Sequence, residues 1–225
     1  MADQNKGMSD LWRRLRFVFL AIVVYRMGTH IPIPGIDPAR LAALFDQNQG
    51  TILEMFNLFS GGALERMSIF ALNVVPYISA AIIMQLFSNS IPYLQELKKD
   101  GQAGRNQITQ YTRYGTVVLA FVQASALSVT LGASGLAYEP GTSFFISAVF
   151  SVVAGTVFLM WLGEQITERG IGNGISIIIA TSILTGIPGA IGQALEQARQ
   201  GDLNILLLLG IGVLAMIVIA IVVFI

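Results

Sequence analysis

The chain has 225 residues with 13 basic and 13 acidic side chains, a formal net charge of zero, 54% apolar residues and 12% charged ones. Charged residues run near 25% in ordinary soluble domains. With a mean hydropathy of +0.70 the chain has too little polar surface to cover a soluble globule, which excludes a water-soluble enzyme, a disordered linker and a basic nucleic-acid binder. It has no Cys and a single His, so a disulfide framework, a thiolate site and a transition-metal centre are all unexpected. The composition predicts an all-α polytopic membrane protein without metal or cofactor.

The first apolar stretch, 17–36, follows a 16-residue basic arm (Lys6, Arg13, Arg14, Arg16) and is broken only by Arg26. It reads as the first transmembrane helix. His30 and Pro32-Ile33-Pro34 after its core make it unlike a cleavable leader. The connection 37–72 is long and carries apolar residues of its own. Met67–Leu94 is free of charge, and a second span is predicted over 73–94. Pro76 lacks an amide donor and obstructs the carbonyl of Leu72, which predicts a bend there. Gly61-Gly62 is a hinge-like pair, and 63–71 has the composition of a short helix. Two readings fit this cluster: a half-helix dipping into the membrane, or a loop followed by one kinked helix.

The most polar segment, 95–113, reads as an exposed hairpin-like loop around Gly101 and Gly104. Charge-free runs then predict spans at 114–138, 140–163, 175–195 and 203–225, six in all. Gly170-Ile171-Gly172-Asn173-Gly174 lies in the connection 164–174. It is neither a dinucleotide nor a Walker A fingerprint and reads as a tight turn between closely packed helices. The run 203–225 ends inside apolar sequence, as expected of the front part of a longer chain.

Basic residues set the orientation. Nine (Lys6, Arg13, Arg14, Arg16, Lys98, Lys99, Arg105, Arg113, Arg169) fall on one side and three (Arg40, Arg66, Arg199) on the other. The amino terminus is therefore expected in the cytoplasm. Catalytic constellations are lacking. Ser60 beside Gly61-Gly62 would need His30 as a general base to act as an intramembrane protease. Asn57, Ser60 and Asn73 are the polar groups available to a small-solute transporter built on broken helices. A pore lined by uncharged side chains is the third reading.

Several strings resemble the SecY family, the central subunit of the bacterial protein-translocation channel. They are Ile31-Pro32-Ile33-Pro34-Gly35-Ile36-Asp37, the run from Phe56 to Leu64, Pro76-Tyr77-Ile78-Ser79-Ala80, Gln110-Tyr111-Thr112-Arg113-Tyr114 and the long run from Trp161 to Ile179. The resemblance extends along essentially the whole chain and is closest to proteobacterial versions.

It implies the first half of a ten-span inverted-repeat channel that exports unfolded polypeptides and releases membrane segments sideways, with no enzymatic activity. It implies that Asn57, Leu58, Phe59, Ser60, Gly61, Gly62, Ala63, Leu64, Glu65 and Arg66 belong to a plug, and Val74, Ile78 and Ile183 to an aliphatic pore ring. Pro76, Ile82, Gln85 and Leu86 would belong to one wall of a lateral gate, and Lys98, Lys99, Arg105 and Arg113 to a face for cytoplasmic partners. The partners implied are SecE and SecG subunits, the SecA motor or a ribosome, polypeptides bearing signal sequences, lipids and the missing carboxy-terminal half (spans 7–10). The location implied is the bacterial inner membrane.

Overall fold

The structure is a computed structural model that describes residues 2–47, 57, 60–139, 141–200 and 205–224. All regular elements among these are helices: α1 (Ala2–Gly28), α2 (Pro38–Gln47), α3 (Val75–Ser90), α4 (Pro92–Lys99), α5 (Gly101–Ala133), α6 (Thr142–Arg169), α7 (Gly174–Gln200) and α8 (Ile205–Phe224). The chain divides into two units, residues 1–183 and 184–225. The second holds the later part of α7, which contains Pro188, and the charge-free α8.

By length and composition, α5 and α6 are apolar enough to cross a membrane, and Gly174–Gly189 and Gly210–Phe224 are shorter apolar helices. α1 is continuous through the basic arm and stops at Gly28. After a turn at Thr29-His30 the chain is no longer helical, and Ile31 to Asp37, turning at Pro34-Gly35, is hydrogen-bonded to other parts of the chain. Ile33 N–H donates to the Met67 carbonyl (2.8 Å) and Ile69 N–H to the Ile31 carbonyl (3.0 Å). On the other side, Asp37 N–H donates to Leu136 (2.8 Å) and Tyr138 N–H to Gly35 (3.0 Å). Two single antiparallel bridges, Pro32–Ser68 and Ile36–Ala137, complete this stitching.

Pro76 does not kink a helix. It sits in the first turn of α3, where its missing donor leaves nothing unsatisfied. α3 ends at Ile91, which is extended before Pro92 opens α4. The polar segment is helical instead of looped: α4 turns into α5 at Asp100, with Gly101 at φ +69°. A Cβ on Gly104 would overlap the Leu97 carbonyl, so this glycine permits close approach of α4 and α5.

Gly170 to Gly174 makes the turn from α6 to α7. The Asn173 side chain caps α7 by accepting from Ser176 N–H (3.1 Å), and the Thr167 hydroxyl accepts from Gly174 N–H (2.8 Å). A Cβ on Gly174 would overlap the Gly163 carbonyl, and one on Gly170 would lie 2.6 Å from Val18 Cγ2. Small residues here let two helices and α1 approach closely.

Two apolar cores fill the first unit. One gathers Ile33, Leu41, Phe45 and Met67 with Leu131, Phe144, Val149 and Val152. The other gathers Tyr25, Ala63, Phe70 and Val74 with Leu159, Leu162, Ile166 and Ile178.

Candidate functional site

The residues between α2 and α3 form the least regular part of the bundle. From Gly61 to Val74 the chain is a succession of turns, not the short helix expected over 63–71. Gly61 and Gly62 have φ of +66° and +79°, and Met67 and Asn73 are also left-handed (φ +40° and +49°). Such values are uncommon outside glycine, with Asn the more tolerant of the two. Tertiary contacts hold them in place.

This run is nonetheless buried: Ser60, Ala63, Ser68, Phe70, Asn73 and Val74 are almost wholly enclosed. Burial demands partners for the backbone. Local ones come first. The Ser60 hydroxyl donates to the Asn57 carbonyl (2.9 Å) and accepts from Leu64 N–H (3.0 Å). The Asn57 side chain accepts from Glu65 N–H (3.0 Å) and donates to the Glu65 carboxylate (3.1 Å). Ser68 N–H reaches the Ala63 carbonyl at 2.8 Å. Leu58 and Phe59 lie outside the described residues.

Neighbouring helices supply the rest. From α1, the Arg26 guanidinium donates to the Gly61 carbonyl (3.0 Å) and the Tyr25 hydroxyl reaches the Ser60 carbonyl (3.3 Å). Tyr25 also hydrogen-bonds the Ser182 hydroxyl of α7. Ser182 in turn accepts from Asn73 Nδ2 (3.2 Å) and donates to the Ile178 carbonyl (2.9 Å). A buried polar relay thus joins α1, the irregular run and α7.

Packing fixes the same run from two sides. A Cβ on Gly28 of α1 would collide with the Phe70 ring, and one on Gly155 of α6 would overlap the Ile69 carbonyl. Phe70 stacks on Tyr25 (centroids 6.0 Å apart) and on Phe158 (5.9 Å), and Phe158 meets Trp161 at 5.7 Å. These rings and glycines were not singled out from the sequence as contacts of this run. Gly155 and Ser182 had the visible signal of a small residue in an apolar stretch, whereas Tyr25 had none.

The residues expected of a pore ring are distributed unevenly. Val74 is 2% exposed within the second core, Ile78 packs partly buried against it, and Ile183 is 39% exposed. Of those expected at a lateral gate, Pro76 is buried, while Ile82, Gln85 and Leu86 are exposed along α3. Among the basic residues, Arg113 pairs with Glu164 at 2.7 Å and ties α5 to α6. Lys98 donates to Asn89 Oδ1 (3.2 Å), whereas Lys99 and Arg105 are exposed on α4 and α5.

Ser60 and His30 are not a catalytic pair. The Ser60 hydroxyl is committed as described. His30 Nδ1 lies 2.8 Å from the Arg26 carbonyl and 3.3 Å from the Thr29 hydroxyl; the carbonyl can only accept, so Nδ1 carries the proton, and Nε2 accepts from Arg66 (3.4 Å). This histidine is a satisfied polar residue at the end of α1.

A family model described as SecY matches residues 68–225. The protein translocase subunit SecY of Pseudomonas aeruginosa is 64% identical over 224 residues, covering 100% of this chain and 51% of that protein. The chain therefore spans about half the length of that relative. Among solved structures, Sec61 in the canine ribosome–channel complex from the endoplasmic reticulum superposes with a TM-score of 0.60 at 20% identity, over 87% of this chain and 43% of the other. A SecY structure whose plug domain is described as stabilising the closed state of its translocation channel and maintaining a membrane seal gives 0.57 at 21%, over 87% and 42%. At those identities the likeness speaks for the fold. Helix order, the seated run after α2 and the sequence relationship converge: the chain belongs to the SecY family.

Proposed function

We propose that the chain is the amino-terminal half of the central subunit of a protein-conducting channel. It would export unfolded polypeptides across the bacterial inner membrane and release membrane segments into lipid. The observation that carries this reading is the enclosure of most of an irregular run, 60–74, among apolar helices, with its carbonyls at 60, 61 and 63 and its amides at 64 and 68 hydrogen-bonded. Non-helical backbone at membrane depth is tolerated only where protein or a water-filled cavity satisfies it. Six spans with a cytoplasmic amino terminus, and 57–66 as a plug, follow from the same reading. The plug domain described for the SecY relative supports it.

A channel for polypeptides must pass every side chain, so strong specific hydrogen bonds along its bore would stall transport. It must also hold back ions. A narrow ring of aliphatic side chains does both, because it sheds water and an ion would have to lose its hydration to cross. Val74 and Ile78 lie four apart, on one face of the chain entering α3. With Ile183 they form this half's share of the ring, and Pro76, Ile82, Gln85 and Leu86 its wall of the lateral gate. The exposed apolar residues of α3 suit a surface that the carboxy-terminal half covers. SecE and SecG subunits and the SecA motor or a ribosome are the proposed partners, the last supported by the ribosome complex of the Sec61 neighbour. Lys98, Lys99 and Arg105 would face them.

Replacing Ile78 or Ile183 by Gly in the full-length protein should raise the resting ion current in planar bilayers. Unchanged current in both variants would refute the ring.

A further inference from the structure

The turn from α6 to α7 contains the sequence's one Asn-Gly pair, Asn173-Gly174. Asparagine is chemically labile, most of all before glycine, whose nitrogen no Cβ shields. The structure explains why both residues stand here. Gly174 is fixed by packing, since a Cβ would overlap the Gly163 carbonyl. Asn173 is fixed as the cap of α7. Its Oδ1 accepts from Ser176 N–H (3.1 Å) and its main-chain carbonyl from Ile177 N–H (3.1 Å). A close helix crossing and a cap thus impose a fragile pair on the fold.

For the pair to react, the Gly174 nitrogen must lose its proton and attack Asn173 Cγ. The N–Cγ bond forms, the Cγ–Nδ2 bond breaks, and ammonia leaves carrying the proton. Water then opens the resulting succinimide at either carbonyl, giving Asp or isoAsp at 173. Asn173 is exposed, so water reaches it. Its side-chain carbonyl is also primed, because Ser176 N–H stands where negative charge develops on Oδ1.

The nucleophile is held back. Gly174 N–H donates to the Thr167 hydroxyl at 2.8 Å. A hydroxyl has a single proton, and Thr167 gives its own to the Gly163 carbonyl (2.9 Å). Only lone pairs therefore face Gly174. They stabilise the protonated amide and repel its anion.

We propose that Asn173-Gly174 is a self-modification site whose substrate is its own side-chain amide, and that the Thr167 hydroxyl keeps it shut. Opening the lock places a new negative charge at the turn. The isoAsp product also routes the main chain through the former side chain, which dismantles the cap and draws Gly174 away from Gly163.

The test uses the purified full-length protein, aged at mildly alkaline pH and digested with trypsin. Mass spectrometry follows the peptide 170–199, released by cleavage after Arg169 and Arg199, as residue 173 becomes Asp or isoAsp. Thr167→Val keeps the shape without the hydroxyl and should accelerate conversion by about fivefold, the factor that one neutral hydrogen bond is worth. Thr167→Ala should do the same, and Thr167→Ser should keep the wild-type rate. The wild type should convert more slowly than a synthetic peptide of residues 170–177.

Amide exchange separates the lock from general fraying. In Thr167→Val, Gly174 N–H should exchange faster, while Gly170 N–H, bonded to the Ile166 carbonyl (2.8 Å), and Ile177 N–H keep their protection. Equal acceleration of all three amides would overturn the proposal, as would wild-type conversion rates in both variants that lack the hydroxyl. A wild-type rate equal to that of the peptide would also overturn it. That last comparison needs no variant, so it decides the matter even where neither variant folds.

Discussion

Gly155 offers the sharpest test of how the irregular run is held. In the middle of a helix, Gly→Ala ordinarily stabilises by about 1 kcal/mol, because alanine has less backbone entropy to lose. At this position the new methyl would overlap the Ile69 oxygen and stand 2.8 Å from its carbonyl carbon, against an ordinary contact of about 3.5–4 Å. Both partners are backbone, so neither can rotate away.

The run must retreat, straining the bonds from Ile33 N–H to Met67 (2.8 Å) and from Ile69 N–H to Ile31 (3.0 Å). Two such bonds contribute about 1 kcal/mol each, and overpacking adds about 1–3 kcal/mol. After subtracting the helix gain, Gly155→Ala should disfavour the seated run by about 2–4 kcal/mol, or roughly 30- to 700-fold in its opening equilibrium. Hydrogen exchange at the Ile33 and Ile69 amides of the reconstituted full-length protein reads this directly. Gly132→Ala is the control: it lies in α5 with nothing within 4 Å of its Cβ position. Exchange in Gly155→Ala no faster than in Gly132→Ala would refute the close-approach argument.

The relay at Ser182 gives a second prediction. Tyr25→Phe and Ser182→Ala should each weaken seating by about 1–2 kcal/mol. Their effects on melting temperature should be non-additive, with a coupling of about 0.5–1.5 kcal/mol; strict additivity would show that the two hydroxyls do not cooperate. For Arg113 and Glu164, with side chains 38% and 17% exposed, solvent screening limits the pair to about 1 kcal/mol. Arg113→Gln should therefore lower the melting temperature only slightly, and less at high salt. A large, salt-independent drop would mean that Arg113 packs more than it pairs.

Where the sequence succeeded and where it failed have identifiable causes. The apolar runs were legible because α5 and α6 carry them at full membrane length. The glycine string at 170–174 read as a tight turn because neither phosphate fingerprint was present, and the overlaps at Gly170 and Gly174 supply the reason. The helix ends were not legible. Charge counting carried the first span on to Ile36, although extended backbone begins soon after Gly28, because the hydrogen bonds that end α1 come from residues 67 and 69.

The polar stretch 95–113 read as a loop because solvated helices and loops share a composition. Gly101 and Gly104 are there for a tight turn and a close crossing. Between Ala63 and Ala71 local propensity favoured helix, and the docking of Phe70 between Gly28 and the stacked rings overrode it. Of the two left-handed residues there that are not glycine, Met67 and Asn73, only Asn73 announced its backbone by residue type.

The short ladder between 31–33 and 67–69 is made from main-chain amides and carbonyls alone. An alanine scan would therefore pass over it in silence, since no truncated side chain takes away a rung. Proline at 33 or 69, or an ester in place of either amide, deletes one rung and spares the surrounding chemistry. The root of this segment can thus remain anchored while its side chains drift over evolutionary time.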